Sequence, residues 1–247
     1  VAGVVAMNML KDSNADFGLD IQIFKNFKPG SGLGSSAASA SGTAFAVNEL
    51  LGRKYSNLEL TKFAMQGELL ACGSAIADNV SAAIYGGFVL IRNYEPLDII
   101  SIPTPSELVA TVIHPQIEIK TEDARKVMPS NIPLKTAVGQ WANVGGLISG
   151  LHASDFDLIG RSLVDNVAEP VRKGLIPHFD AVKEASIKAG ALGAGISGSG
   201  PSIFALSEGM ETANKVKEAM NAVYKDSGID FTLYISRISK NGARVKI

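Results

Sequence analysis

Lys28-Pro29-Gly30-Ser31-Gly32-Leu33-Gly34-Ser35-Ser36-Ala37-Ala38 is the stretch on which the reading of this chain turns. Its three glycines let the backbone turn tightly and approach a ligand closely. The two serines then open an Ala-rich run that reads as a helix from Ser35 to Leu51, and no charged side chain occurs between Pro29 and Asn48. A Gly/Ser loop opening a helix aims several backbone N–H groups at one spot, at the positive end of the helix dipole, and that spot suits a phosphate. The plainer alternative is a strand-to-helix turn with serine N-caps. Two standard phosphate loops do not fit. A P-loop ends in Gly-Lys-Ser/Thr, and no lysine follows Gly34. A dinucleotide fingerprint needs Gly-x-Gly-x-x-Gly after a buried parallel strand. Here the glycines stand at 30, 32 and 34, and Leu19–Lys25 alternates apolar and polar residues, as in a half-exposed antiparallel strand over Gly18–Asn26.

Upstream of that strand, Ala2–Lys11 reads as a helix already under way, with no cap and no initiator Met, as expected of a chain whose upstream part lies outside this sequence. Downstream, Ser56-Asn57-Leu58-Glu59 forms a capping box for a helix that runs to Cys72 and stops at Gly73. Asp78–Ile84 is short and helical or irregular. Gly87–Arg92 and Leu97–Ile102 read as strands, and Pro103 and Pro105 mark a domain boundary. Beyond it come a strand over Leu108–His114, a short helix opening at Thr121, and helices over Leu134–Leu151, Asp155–Asp165 and Phe179–Ala189. Strands over Leu192–Ile196 and Ser202–Ser207, a helix over Gly209–Asp226 and a strand over Phe231–Arg237 complete the chain. Without a regular βαβ repeat the class is α+β, in two domains, 1–103 and 104–247.

Between Phe63 and Ile91 there is no Lys or Arg, and the only charges are Glu68 and Asp78. Glu68 has Ala64, Met65, Ala71 and Cys72 as helical neighbours. A carboxylate on the margin of an apolar face needs a partner, because burying an unpaired charge costs several kcal/mol, to order of magnitude. No cation is close in sequence. A Mg²⁺ ion would fit, since it takes few protein oxygens and leans on substrate phosphates; a solvated glutamate on an ordinary helix is the alternative. Asp78-Asn79, a polar pair in a run of small apolar residues, is either a helix cap or a site. Gly195-Ile196-Ser197-Gly198-Ser199-Gly200-Pro201-Ser202 is a second glycine turn between two strands, which taken alone reads as a β-turn.

The 247 residues are 46% hydrophobic and 19% charged with net charge −1, enough for a sizeable core and without the basic excess that nucleic acid or an anionic membrane would require. The single Cys72 forbids an intrachain disulfide and suits a reducing, cytoplasmic compartment. No apolar run is long enough to span a bilayer.

The run from Pro29 to Ala38 resembles the second motif of the GHMP kinases, a superfamily covering galactose, homoserine, mevalonate and phosphomevalonate kinases. Of the motif's pattern Pro-x-x-x-Gly-Leu-Gly-Ser-Ser-Ala, the run Gly32-Leu33-Gly34-Ser35-Ser36-Ala37 is matched in full, and Pro29 stands one residue closer to Gly32 than the pattern has it. The turn at Gly198-Ser199-Gly200 resembles the third motif. Asp78-Asn79-Val80 ahead of Tyr85-Gly86-Gly87, Thr121 with Ala124-Arg125, and Glu169-Pro170-Val171-Arg172 resemble segments of the branch that phosphorylates L-homoserine. The resemblance implies a nucleotide-binding α/β first domain and a ferredoxin-like second one. It implies that Pro29, Gly30, Ser31, Gly32, Leu33, Gly34, Ser35, Ser36 and Ala37, with Gly198, Ser199 and Gly200, hold ATP. It further implies that Ser36 and Glu68 hold Mg²⁺, that Asp78, Asn79, Thr121, Arg125 and Arg172 bind L-homoserine, and that Asn79 and Arg172 serve catalysis. Some relatives carry an Asp as base near Asn79; a carboxamide takes up no proton at neutral pH, so catalysis would rest on positioning and charge neutralisation. The paired arginines, whose guanidinium forks match a carboxylate, argue against an uncharged sugar. The family's first motif lies upstream of the loop and has no counterpart in this sequence. The alternatives are another small-molecule kinase of the superfamily, a non-catalytic sensor on the same fold, or a binding domain whose glycine runs are only turns; a homodimer is left open.

Overall fold

The computed structural model describes residues 1–27, 29–119, 124 and 126–246. The chain forms two compact units: Val1–Pro29, Gly34–Ile102 and Ser239–Ile247 make one, and Gly30–Leu33 with Pro103–Ile238 make the other. Among the described residues no helix is long and apolar enough to cross a membrane.

The first unit is built around α2 (Ser35–Leu50), which α1 (Ala2–Ser13), α3 (Asn57–Cys72) and α4 (Asp78–Tyr85) contact. Its side chains are small on several faces, with Ala37, Ala40, Ser41 and Ala44 buried, so three helices close on it and no charge is tolerated along most of its length. The core joins Val5 and Met9 of α1 to Ala40, Ala44 and Val47 of α2, Leu60 and Ala64 of α3, and Val80 and Ile84 of α4. Gly67 is the contact point of α3: a Cβ there would lie 2.9 Å from Val5 and 3.1 Å from Ala40. Ser56 caps α3 with the reciprocal Glu59 bond expected of the capping box. An antiparallel hairpin of β1 (Phe88–Tyr94) and β2 (Leu97–Ile102) follows α4. The C-terminal segment returns to this unit, Gly87 N–H donating to Ser239 O at 2.7 Å and Ala243 N–H to Ala83 O at 2.8 Å.

The segment Gly18–Asn26 is not a strand. Its alternation is real, but a strand is defined by a ladder, and no strand lies beside it among the described residues. Ile23 and Phe24 are accordingly 48% and 89% exposed. Leu19–Phe24 and the flank of α2 line a cleft of about 410 Å³.

The second unit is a four-stranded antiparallel sheet in the order β4-β5-β3-β6, from β3 (Leu108–Pro115), β4 (Gly193–Ile196), β5 (Ile203–Glu208) and β6 (Phe231–Arg237). Helix α5 (Leu134–Ala153) packs on α6 (Phe156–Ser162), followed by the single turn α7 (Glu169–Arg172). Then α8 (Phe179–Lys188) and α9 (Gly209–Tyr224) pack on the sheet, closing a core of Ile113, Phe179, Val182, Ile203, Ala205, Val216 and Met220. Strand order and connections are those of a ferredoxin-like βαββαβ unit. The helix expected over Asp155–Asp165 ends at Ser162, because the Asp165 carboxylate is engaged elsewhere. It accepts the N–H groups of Val167, Ala168 and Glu169 and so starts α7.

Candidate active site

In the first unit the site is assembled at the N-terminus of α2. Gly34 is its N-cap at φ 69°, the left-handed region that favours glycine, and no side chain caps the helix. Asn79 stands against it: a Cβ on Gly34 would meet Asn79 Cγ at 3.4 Å. Ser36, on the first turn of α2, donates its hydroxyl to Glu68 of α3. Glu68 is 7% exposed. Burial raises its pKa above the ordinary carboxylate value; the Ser36 hydrogen bond opposes this, Asp78 adds to it, and Lys25 opposes it. Asp78 and Asn79 are at the start of α4, with Asp78 Oδ1 accepting the Asn79 N–H at 2.6 Å.

Lys25 is the residue that sequence reasoning passed over. Its ammonium donates to Ser35 O at 3.2 Å and Ser35 Oγ at 3.0 Å, and its charge acts on Glu68. It lies ten residues from Ser35, in the segment read as a strand, so nothing local marked it. A cation at the positive end of a helix is electrostatically unfavourable unless an anion joins them. No cation stands close to Glu68 along the sequence, as expected, and the charge that reaches it, Lys25, is brought there by the fold.

In the second unit, the loop Gly30–Leu33 is tied to the turn Ser197–Ser202. Ser197 Oγ donates to Gly32 O at 2.9 Å, and Ser202 Oγ donates to Ser31 O at 2.6 Å. Gly32 (φ 76°) has no room for a side chain, since a Cβ would lie 2.5 Å from Ser197 O and 2.7 Å from Gly200 O. The turn closes through Ser197 N–H to Ser202 O and Gly200 N–H to Ser197 O. The segment is a β-turn, as its sequence reads, and the serines at its two ends hold the loop. Arg172, at the end of α7, gives its Nε–H to Ala124 O at 3.0 Å and one Nη1–H to Gly198 O at 3.3 Å, so two carbonyls fix the guanidinium plane beside the turn. Behind it, Glu169 pairs with Lys183. Thr121 and Arg125 lie outside the described residues.

Among the described residues no cluster of three or more His, Cys, Asp or Glu could hold a metal by itself. The Ser36 hydroxyl and Glu68 carboxylate offer a small all-oxygen donor set, which fits a Mg²⁺ ion whose other positions are filled by phosphates and water.

Residues 1–87 match the family model for the GHMP kinases N terminal domain, and residues 147–226 match that for the GHMP kinases C terminal domain. The chain is 54% identical over 229 residues to a homoserine kinase of Chlorobium phaeobacteroides, covering 92% of this chain and 72% of that one. It is 49% identical over 237 residues to a homoserine kinase of Chlorobaculum tepidum, covering 95% and 73%. The crystal structure of homoserine kinase from Cytophaga hutchinsonii superimposes with a TM-score of 0.94 at 49% identity, covering 98% of this chain and 76% of that one.

Proposed function

The chain belongs to the GHMP kinase family, and from that premise we propose how its own residues divide the work. The activity is ATP-dependent phosphorylation of the side-chain hydroxyl of L-homoserine, a step toward threonine, as the names of relatives at about half identity imply. The γ-phosphorus–oxygen bond of ATP breaks, a bond to the homoserine oxygen forms, the hydroxyl proton is released, and ADP leaves with the bridging oxygen.

One observation carries the assignment of roles: a helix N-terminus without a side-chain cap, a lysine and a buried carboxylate meet at Ser35–Ser36, directly after the glycine run in the chain. On this reading amides of the loop Gly30–Ala37, with those of Gly198 and Ser199, cradle the phosphates, while Leu33 N–H and Gly200 N–H are spent inside their own turns and shape the backbone there. Lys25 supplies the cation that the phosphates need and that they in turn justify. Ser36 and Glu68 hold Mg²⁺, which when bound would neutralise charge on the transferring group. Asn79 and Asp78 orient the homoserine hydroxyl and amine. Asn79 abstracts no proton, so the hydroxyl proton departs late, in keeping with a loose transition state. Thr121, Arg125 and Arg172 bind the substrate, and the two arginines take its carboxylate. Arg172 suits that role because its plane is already fixed by two carbonyls, leaving a preorganised fork. The single cysteine and the substrate class support a cytoplasmic setting.

A coupled ADP-release assay with L-homoserine, and with the analogue lacking its carboxylate, tests the reading. The analogue should be a poor substrate. Arg172→Lys should raise homoserine KM almost as much as Arg172→Ala, by on the order of tenfold or more, since both lose the fork, while ATP KM stays put. Equal use of both alcohols, or an unchanged homoserine KM in Arg172→Ala, would leave only an unspecified kinase of the family.

A further inference from the structure

Two buried side chains of the second unit that the reading above does not use stand in a row with a residue of the glycine loop. His114, on β3, is 3% exposed; Ser202, immediately before β5, is 0% exposed; Ser31, in the glycine loop, is 1% exposed. The Ser202 hydroxyl lies 2.6 Å from Ser31 O and 3.1 Å from His114 Nδ1. A proton count assigns the roles. A carbonyl oxygen can only accept, so the single hydroxyl hydrogen of Ser202 is committed to Ser31 O. Ser202 Oγ is then left with lone pairs alone to offer His114, and the imidazole proton facing it stands on Nδ1.

What this row holds is a peptide plane. In a trans peptide the C=O and the following N–H point in opposite directions. Pinning Ser31 O toward Ser202 therefore turns the Gly32 N–H the other way. Next along the chain, Gly32 O is pinned by Ser197, and Leu33 N–H is taken by Ser31 Oγ at 3.3 Å. A donor into Ser202 Oγ also strengthens the bond that the hydroxyl gives, as chained hydrogen bonds polarise one another.

We propose that His114 is a positioning residue for the nucleotide loop: its Nδ1–H orients the Ser202 hydroxyl, which fixes the Ser31–Gly32 peptide plane and so aims the Gly32 amide at a phosphate. The inference rests on the reading of this loop as the triphosphate site. It places a histidine that touches no substrate behind the backbone that does.

The test combines spectroscopy on the parent with kinetics on variants of the full chain. The chain has three histidines, so the ring nitrogens are readily assigned by heteronuclear NMR, and His114 should carry its proton on Nδ1. Ser202→Ala and His114→Leu should raise ATP KM on the order of tenfold, the size of one lost buried hydrogen bond, with homoserine KM within about twofold of the parent. His114→Asn, whose amide N–H can stand where Nδ1–H stood, should recover most of the loss. A proton on Nε2 alone overturns the proposal without any variant, so a variant that fails to fold does not shield it. An unchanged ATP KM in His114→Leu, or His114→Asn no better than His114→Leu, overturns it equally when Gly32→Ala impairs ATP binding. If Gly32→Ala leaves ATP KM untouched, the loop is not the nucleotide site and both readings fall.

Discussion

Glu68 is almost wholly buried, and burial raises its pKa above the ordinary 4.5, with Ser36 and Lys25 opposing the shift and Asp78 adding to it. The sign of the consequence follows from linkage. A carboxyl whose folded pKa lies above its unfolded value binds its proton more tightly when folded, so the associated stability is present below 4.5 and lost as pH rises through the folded pKa. Above its folded pKa the ionised Glu68 is therefore a burden on the fold. Glu68→Gln should raise the melting temperature at pH 7 without Mg²⁺, with the gain shrinking toward pH 4, while phosphoryl transfer falls by orders of magnitude. Thermal scans at both pH values, paired with single-turnover assays, check this.

At the scale of elements, the helix signals that worked were local chemistry. Ser56 and Glu59 satisfy each other's backbone groups at the start of α3, and Ser56→Ala should cost about 1 kcal/mol, read as a lower melting temperature with kinetics intact. Tyr224 closes α9 against its neighbours: its hydroxyl donates to Pro177 O, its ring meets His178 and Phe231, and burial pushes its pKa up to about 12. The folded value exceeds the ordinary 10.0, so its contribution is complete below pH 10 and lost as pH rises toward 12. Tyr224→Phe should be less stable than the parent near neutrality and less sensitive to alkali, measurable by denaturation at pH 7 and pH 11. The same distinction explains what could be read beforehand. Caps, glycine stops and periodicity brought out α3, α9 and β6, and the glycine loop declared itself by spacing. Gly18–Asn26 misled because alternation records which side chains are apolar and not whether a neighbouring strand exists. Lys25 and the His114–Ser202–Ser31 row were invisible because 10, 88 and 171 residues separate the partners, and only folding brings them together.

The whole molecule has two cores, one helical and one around an antiparallel sheet, and the loop that motivates the functional reading is divided between them. Gly30–Leu33 belongs with the sheet unit and Gly34 with the helical one, while the C-terminal Ser239–Ile247 returns to the helical unit. Inheritance acts on contiguous stretches of chain, so this division constrains which recombinants can work. A crossover at Pro103 with a distant relative would deliver Ser197, Ser202 and His114 from one parent and the loop they hold from the other. The same crossover would lay a foreign C-terminus on the backbone of Ala83 and Gly87. Such a chimera should melt lower and bind ATP more weakly than either parent, and grafting Gly30–Leu33 and Ser239–Ile247 from the matching parent should restore both properties, as paired melting and nucleotide titrations would register. Loop and turn are thus one heritable pair written in two distant places, the tail and its seat at Ala83 and Gly87 another, and a substitution that drifts in one member of a pair will persist only where its partner drifts with it.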